Sequence, residues 1–416
     1  MGRRKVIVVG GGASGMMAAI AAAEKGAQVT LLEKNNQLGK KLLITGKGRC
    51  NVTNSKDMAQ LINSFPHNGK FLFTAFTVWS NEQTMAFFEQ MGVALKVERG
   101  DRVFPQSDQA KDIVWALNRR LKQLKVEVHL GQAVQALLTN EAGAAKGVVL
   151  ADGRHLEADR VIVAVGGMSY PGTGSSGDGY SWAKAIGHTI KPLRPALVPL
   201  ESPDEWLYAL QGLSLKNVRL TFFKPNGKKL AEEFGEMLFT HFGISGPIVL
   251  TLSGQVVDQW QKEQEPLTAE IDLKPALSVE QLDQRLLREI DEQHNKQLKN
   301  VLTSLLPQKL IPVFIERVGI AEDRVMHQLT RGERQQLIHG LKHFAFRVHQ
   351  ARPLAEAIVT AGGIHVKEIS PQTMESKLVS GLYFTGEILD IDGITGGFNL
   401  QAAFSTGYLA GASSAE

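Results

Sequence analysis

Near its start the chain carries an unbroken apolar run, Val6-Ile7-Val8-Val9, with neither alternation nor charge. A short run of β-branched residues of this kind predicts a strand buried on both faces. It opens directly into Gly10-Gly11-Gly12-Ala13-Ser14-Gly15, after which the alanine-rich residues 14–25 predict a helix. A second strand is predicted at Gln28-Val29-Thr30-Leu31-Leu32-Glu33. Residues 108–125 repeat apolar side chains at helical spacing, with Ile113, Val114, Leu117, Leu121 and Leu124 on one side. Residues 126–130, 134–139, 147–151 and 154–157 predict short strands, and Asp152-Gly153 supplies a hairpin turn. Residues 160–165 predict another buried strand, ending in Gly166-Gly167. This alternation of β and α implies an α/β fold on a parallel sheet.

The pattern changes after the prolines at 192, 195 and 199. Residues 218–223 and 228–234 flank Pro225-Asn226-Gly227, a strong hairpin signal. From Ser278 to about His343 the chain is polar and helical, and Ser278-Val279-Glu280-Gln281 resembles a capping box. Apolar strands return near Glu356. The expected division is therefore a nucleotide domain begun in residues 1–190, a β-rich insertion over 191–275, a helical insertion over 276–345, and a return to the nucleotide domain over 346–416.

Chemistry enters with the first turn. Gly10, Gly12 and Gly15 form G-x-G-x-x-G between strand and helix: one glycine for the tight turn, one for close approach of a pyrophosphate, one for helix–strand packing. The free amides of Ala13, Ser14 and Gly15 then face the phosphates. Glu33 ends the second strand, where its carboxylate can accept both ribose hydroxyls of an adenosine. Strand, glycines, helix, strand and acid in that order point to a bound dinucleotide. Gly172-Thr173-Gly174-Ser175-Ser176-Gly177 repeats the glycine spacing, but no second strand with a terminal acid follows. It reads as a loop before a helix at 179–187, which leaves no dedicated Rossmann site for NAD(P)H.

Composition narrows the class. At 416 residues the chain exceeds a single core, and 43% hydrophobic with 21% charged residues is usual for soluble globular proteins. No apolar stretch reaches the ~18 residues of a membrane span, and the strand at the N-terminus leaves no room for a signal peptide. Cys50 is the only cysteine, which excludes an internal disulfide and a cysteine-cluster metal site and fits a reducing, cytoplasmic home. No metal site is expected. The net charge of +4 permits an anionic partner without requiring one.

Two further runs carry a family resemblance: Gly39-Lys40-Lys41 through Gly46-Lys47-Gly48-Arg49-Cys50-Asn51-Val52-Thr53-Asn54, and Thr385-Gly386-Glu387-Ile388-Leu389-Asp390 with Gly396-Gly397-Phe398-Asn399-Leu400-Gln401. With Val163-Ala164-Val165-Gly166-Gly167 and the first turn, they resemble the two-dinucleotide-binding-domain flavoproteins. More narrowly, the chain resembles the BaiN/RdsA-type, aminoacetone-oxidase-like family of NAD(P)/FAD-dependent flavoproteins, from about residue 5 to 411. The resemblance implies non-covalent FAD on a Rossmann-like domain, interrupted by an insertion with a β-barrel-like part and a helical part. It implies cofactor contacts from the first turn with Glu33 and Lys34, from Lys41, Gly48, Arg49, Cys50 and Asn51, from Val134, Ala164, Gly166 and Gly167, and from Gly386, Glu387, Gly397, Asn399, Leu400 and Gln401. The amides of about 399–401 open a helix, where they would stabilise the negative charge of reduced flavin near N1 and C2=O. Lys40, Lys41 and Arg49 either balance phosphate or substrate charge or lie solvated on the surface.

Two residues are candidates for catalysis. Cys50 has no partner thiol, so it acts either as a general acid beside the flavin or as a small packed residue. His241, in Thr240-His241-Phe242-Gly243-Ile244-Ser245-Gly246-Pro247, either donates a proton or packs at a helix start. Thr360-Ala361-Gly362-Gly363 either faces the flavin or is a re-entry turn. The activity implied is hydride transfer through flavin N5, most readily to a polarised C=C bond. Uridine in ribosomal RNA and an enoate are the substrates implied, with NAD(P)H as transient donor. The alternatives are an amine or aminoketone oxidase and a flavin-bearing sensor without turnover.

Overall fold

A computed structural model describes residues 3–416. The first apolar run forms β1, Lys5–Val9, followed by α1, Ala13–Glu24, and β2, Gln28–Glu33. α1 is buried from Ser14 to Ala22, so small residues and Met fill it where a surface helix would be amphipathic. Three more strands, β3 (Glu127–Leu130), β4 (Arg160–Val163) and β5 (Leu382–Phe384), complete a parallel sheet of order β5-β4-β1-β2-β3. The outer strand β5 comes from the far end of the chain, so the sheet is finished only after the insertion has been made. A three-stranded antiparallel sheet, Val134–Thr139, Ala145–Leu150 and His155–Glu157, fills the crossover between β3 and β4.

The last helix, α2, Phe398–Ala415, lies along α1. A Cβ on Gly407 would sit 2.3 Å from the Ser14 backbone oxygen, and one on Gly411 would sit 2.1 Å from that of Ala18. Equal steps along both chains mean that the helices run parallel with their backbones in contact.

The contacts divide the chain into two compact units, Met1–Pro195 with Leu354–Glu416, and Ala196–Pro353. The second unit holds a seven-stranded antiparallel sheet. Its edge strands, Phe344–Val348 and Gln350–Ala351, are consecutive in the chain, so the sheet curls until its edges approach, which gives the barrel-like form. Its two longest strands, Ser214–Phe223 and Lys229–Phe239, are joined at Pro225-Asn226-Gly227. Helices Val279–Glu292 and Arg331–Lys342 begin at capping boxes on Ser278 and Thr330. Leu282, Leu286, Leu337 and Leu341 of these helices share one core with Leu220, Phe222, Ile271 and Phe344 of the sheet. The β-rich and helical stretches thus form a single body. No helix among the described residues is long and apolar enough to cross a membrane.

Candidate functional site

The three glycines of the first turn meet different demands. Gly10 has φ +103°, and a Cβ there would lie 2.5 Å from the Ala164 oxygen. A Cβ on Gly15 would lie 1.8 Å from the Gly10 oxygen. Gly12 is unlike both: its φ of −82° suits any residue, and its Cβ would meet no protein atom within 4 Å. The fold requires glycine at 10 and 15, whereas at 12 it leaves an open approach to the backbone. Gly12 is also the N-cap of α1 and supplies no side-chain cap, so the amides of Ala13, Ser14 and Gly15 have no partner within the helix.

Glu33 is buried at the end of β2. Its Oε2 accepts the Gly11 N–H at 2.7 Å, and its Oε1 accepts the Asn35 backbone and side-chain N–H groups at 2.8 and 2.7 Å. A carboxylate offers about four acceptor positions, and these three bonds leave one of them open. Residues 131 and 132 donate to the Asn35 and Glu33 carbonyls, which sets half-buried Val134 two residues beyond this end of the site. Lys34 pairs with Asp178 at 2.7 Å and donates to Ser176, so its charge is met within the protein. The Asn35 amide also reaches the Thr173 oxygen at 3.1 Å. The Gly172 to Gly177 run is thus a loop, ahead of helix Asp178–Ala185, that closes over the end of β2.

The segment 46–50 is unusual backbone. Gly46, Lys47, Gly48 and Cys50 all have φ between +56° and +86°. Holding Lys47 and Cys50 in the left-handed region costs on the order of 1 kcal/mol each. Arg49 does not present a free charge: it bonds Asp108 at 2.6 Å and Glu98 at 2.5 Å and lies 4.2 Å over the Phe104 ring. Lys40 reaches only Asn35, at 3.5 Å. Cys50 is fully buried, and burial pushes its thiol up to about 12, so it stays neutral at physiological pH. Its side chain has no exposed surface, and the Thr45 side chain is its hydrogen-bond partner. Next to Cys50, the buried Asn51 Oδ1 has no hydrogen-bond partner among the described residues.

That oxygen lies at the start of α2, where a Cβ on Gly397 would come within 2.9 Å of it and 2.4 Å of the Thr53 oxygen. Gly397 has φ +95° and offers no side-chain cap, so the amides of Phe398, Asn399 and Leu400 have no partner within the helix. The side chains here, by contrast, are engaged. Asn399 clasps Gly393 through its Oδ1 and Nδ2, both at 2.8 Å. Fully buried Gln401 accepts from Thr53 Oγ1 at 2.6 Å and donates to Ser405 at 2.9 Å. Asn54 donates to the Gly396 oxygen at 3.0 Å. Leu400 is half-buried. The two sequence runs of the resemblance are therefore bonded to each other, and their polar side chains aim the helix end.

Beside the start of α1, next to Gly386, lies a polar network. Lys41 Nζ donates to Glu387 Oε2 at 2.7 Å and to Ser169 Oγ at 2.6 Å; Glu387 Oε1 accepts from Ser169 at 2.8 Å and from the Thr360 amide at 2.9 Å. Burial pushes the Glu387 carboxyl up, but Lys41, the Thr360 amide and Ser169 outweigh it and hold the group below the usual glutamate range. A Cβ on Gly167 would fall 2.4 Å from Thr360 Oγ1, so glycine makes room for the network. Gly166 (φ +74°) turns the chain into it, and Gly386 abuts Ser14 of α1, where its Cβ would come within 2.6 Å of the hydroxyl. Ser169 and Asn35 were not singled out from sequence, and Thr360 entered only with the Gly362-Gly363 run, because serines, threonines and asparagines in loops carry no periodicity.

The arrangement fits a long dinucleotide. α2 touches the first turn of α1 at Gly407, about nine residues into the helix, which sets its bare N-terminus roughly 13 Å beyond the start of α1, on that helix's N-terminal side. Two anion-favouring helix ends and an acid at the strand end match the pyrophosphate, ribose and electron-rich ring edge of FAD, and the Asn51 oxygen is left to accept from an N–H of the ring. His241 belongs to the second unit, exposed and edge-on to Phe242. No cluster of metal-ligating side chains occurs among the described residues.

The sequence profile of the HI0933-like protein Rossmann domain matches residues 4–413. A 3-dehydro-bile acid delta(4,6)-reductase of Clostridium scindens is 35% identical over 94% of this chain and 93% of its own. A ribosomal RNA dihydrouridine synthase of Haemophilus influenzae is 32% identical over 93% of this chain and 92% of its own. Among solved structures, a 3-ketosteroid delta1-dehydrogenase of Sterolibacterium denitrificans shares the fold, with TM-score 0.55, 14% identity and 99% of each chain covered.

Proposed function

This chain belongs to the HI0933-like Rossmann-domain family, and we propose from that premise that it is a cytoplasmic FAD-dependent oxidoreductase that saturates a carbon–carbon double bond polarised by a carbonyl. The observation that carries the reading is the pair of parallel, uncapped helix ends, offset along one axis as the phosphates and ring of FAD require. The two relatives' names share one chemistry, addition of hydrogen across a C=C bond. When bound, FAD supplies hydride transfer through N5. The chain's own part is to hold the phosphates on the α1 amides and the ribose on Glu33, and to set positive potential from the α2 amides where the reduced ring is electron-rich. NADH or NADPH is the proposed source of the hydride, and a uridine in ribosomal RNA or an enone the proposed acceptor. The proton for the second carbon needs an accessible donor. The exposed imidazole of His241 meets that need, which makes it the candidate and leaves sealed Cys50 to packing.

The test follows the two half-reactions by stopped flow on purified yellow protein. NAD(P)H should bleach the flavin under anaerobic conditions, and an enone or uridine-containing ribosomal RNA should restore its colour. His241→Ala should leave the first step unchanged and slow the second about 10²–10⁴-fold. Dihydrouridine mapping in a deletion strain separates the two acceptors. Hydrogen peroxide released from an aminoketone, with no nicotinamide present, would overturn the reading in favour of an oxidase.

A further inference from the structure

The helix Ala110–Gln123 of the first unit buries Ile113, Val114, Ala116, Leu117 and Leu121 and turns a different kind of face outward. Lys111, Trp115, Arg119 and Lys122 are all exposed. At about 100° per residue their spacing of four, four and three places them within roughly 80° of one another, in a stripe on the order of 16 Å long. Trp115 is 52% exposed, while the other four tryptophans of the chain are buried or half-buried. It does not serve the core, which lies on the opposite side of the helix. Arg119 sits over its ring, 5.2 Å from the centroid.

No acid interrupts the stripe. Asp112 flanks it and is bonded to Ser107 at 2.5 Å. Glu24 meets Arg120 at 2.7 Å on the other side of the helix. Three cations on one face, unneutralised along their length, give a positive ridge, and the indole among them gives a flat surface on which a base can stack. Lys111 and Arg119 lie about 12 Å apart along the axis with Trp115 midway between them, and Lys122 lies about 4.5 Å beyond Arg119. A single aromatic ring on a charged face does not supply the broad apolar side that a membrane-surface helix needs. Base stacking distinguishes RNA from an acidic protein segment.

We propose that the Lys111–Trp115–Arg119–Lys122 face is a docking surface for single-stranded RNA, contacting phosphates through the three cations and a base through Trp115. The inference rests on the oxidoreductase reading only for what the RNA is brought to the enzyme for. Binding is read without turnover, so the two can fail separately.

The experiment uses FAD-loaded full-length protein and a fluorescein-labelled uridine-rich RNA of about 20 nucleotides, titrated at several salt concentrations. The parent should bind with strong salt dependence and with quenching of tryptophan fluorescence. The triple variant Lys111→Ala, Arg119→Ala, Lys122→Ala should bind at least about tenfold more weakly, with the slope of log affinity on log salt smaller by about 2. Trp115→Ala should weaken binding about 5- to 100-fold with little change of slope and should lose most of the quenching. Flavin content and absorption should be unchanged in both, which shows that the fold is intact. Lys216→Ala, Lys228→Ala, Lys262→Ala, a charge-matched change at exposed positions elsewhere, should leave binding near the parent's. The proposal is overturned by a parent that does not bind RNA, by a stripe variant that binds like the parent, or by an equal loss in the control triple. It is also overturned if anionic phospholipid vesicles or polyglutamate bind the same face as tightly as RNA.

Discussion

The starts of α1 and α2 do the same physical job with opposite means. Both are helix N-termini without a side-chain cap. At α1 the position is set mainly by glycine: Gly10 and Gly15 let strand, turn and helix touch, and the Glu33 carboxylate holds the Gly11 N–H. At α2 the position is set by side chains, with Thr53, Asn54, Asn399 and Gln401 clamping the turn that Gly396 and Gly397 make. At both ends the groups left for a ligand are backbone amides. A polar residue in a cofactor motif is thus often the support for the contact and not the contact itself.

Gly12 carries the largest expected effect. Because its backbone suits any residue and its Cβ meets no protein, Gly12→Val should change the melting temperature little while abolishing FAD retention. Gly15→Val should instead unfold the unit, since its Cβ would overlap the Gly10 carbonyl. Calorimetry together with flavin released per protein distinguishes them. A Gly12→Val protein that stays yellow would remove α1 as the phosphate site.

Next in size is the Lys41–Glu387 network. Lys41→Met leaves Glu387 charged without its cation and should cost about 2 kcal/mol, toward the low end because both side chains still reach solvent. The sign of the pH effect follows from the depressed Glu387 carboxyl. Its stabilisation is present above the ordinary glutamate value of about 4.3 and is lost as pH falls through the lower folded value. The parent should therefore lose denaturant midpoint on acidification more steeply than Lys41→Met. Parallel curves would show that the pair is not coupled to folding.

A similar effect on stability is expected at α2. Gln401→Leu strands the Thr53 hydroxyl and should cost about 1–3 kcal/mol. If the clamp aims the helix end, the bound flavin should also become harder to reduce, because charge on the reduced ring loses stabilisation. Spectroelectrochemical potentials of the two proteins check this. Lost stability with an unchanged potential would make Gln401 a packing residue only.

Much of this was legible in sequence where a residue's type is forced by backbone contact. The alternation of strand and helix, the first glycine turn and the acid ending β2 follow from period and sterics, and the HI0933-like profile spans the same residues. The runs at 46–54 and 396–401 were also visible as units. What stayed hidden was which of their side chains face inward. Arg49 reads as a phosphate counter-charge until Glu98 and Asp108, far away in sequence, are found beside it. Gln401 reads as a ligand until Thr53 is found against it. Likewise the curling of the second unit's sheet depends on pairings between strands at 200–201 and 350–351, which no local pattern announces.

Cys50 gives the smallest expected effect and the most exacting test. Its thiol is fully buried and pushed up to about 12, and its φ is +60°. A proton donor must reach the carbon it serves, and a group with no exposed surface reaches nothing beyond its packing. Cys50→Ala should therefore cost about 1 kcal/mol or less, the scale of a small cavity. It should keep FAD and run both half-reactions at close to the parent rate. Cys50→Gly separates space from strain: the cavity grows, but the left-handed backbone is relieved, so the second variant should be no less stable than the first. A fall of about 10²–10⁴ in substrate reduction alone, with flavin reduction intact, would instead make the thiol the acid. The segment 46–50 would then have to move when substrate binds, and its run of left-handed residues would be the place where that motion is stored.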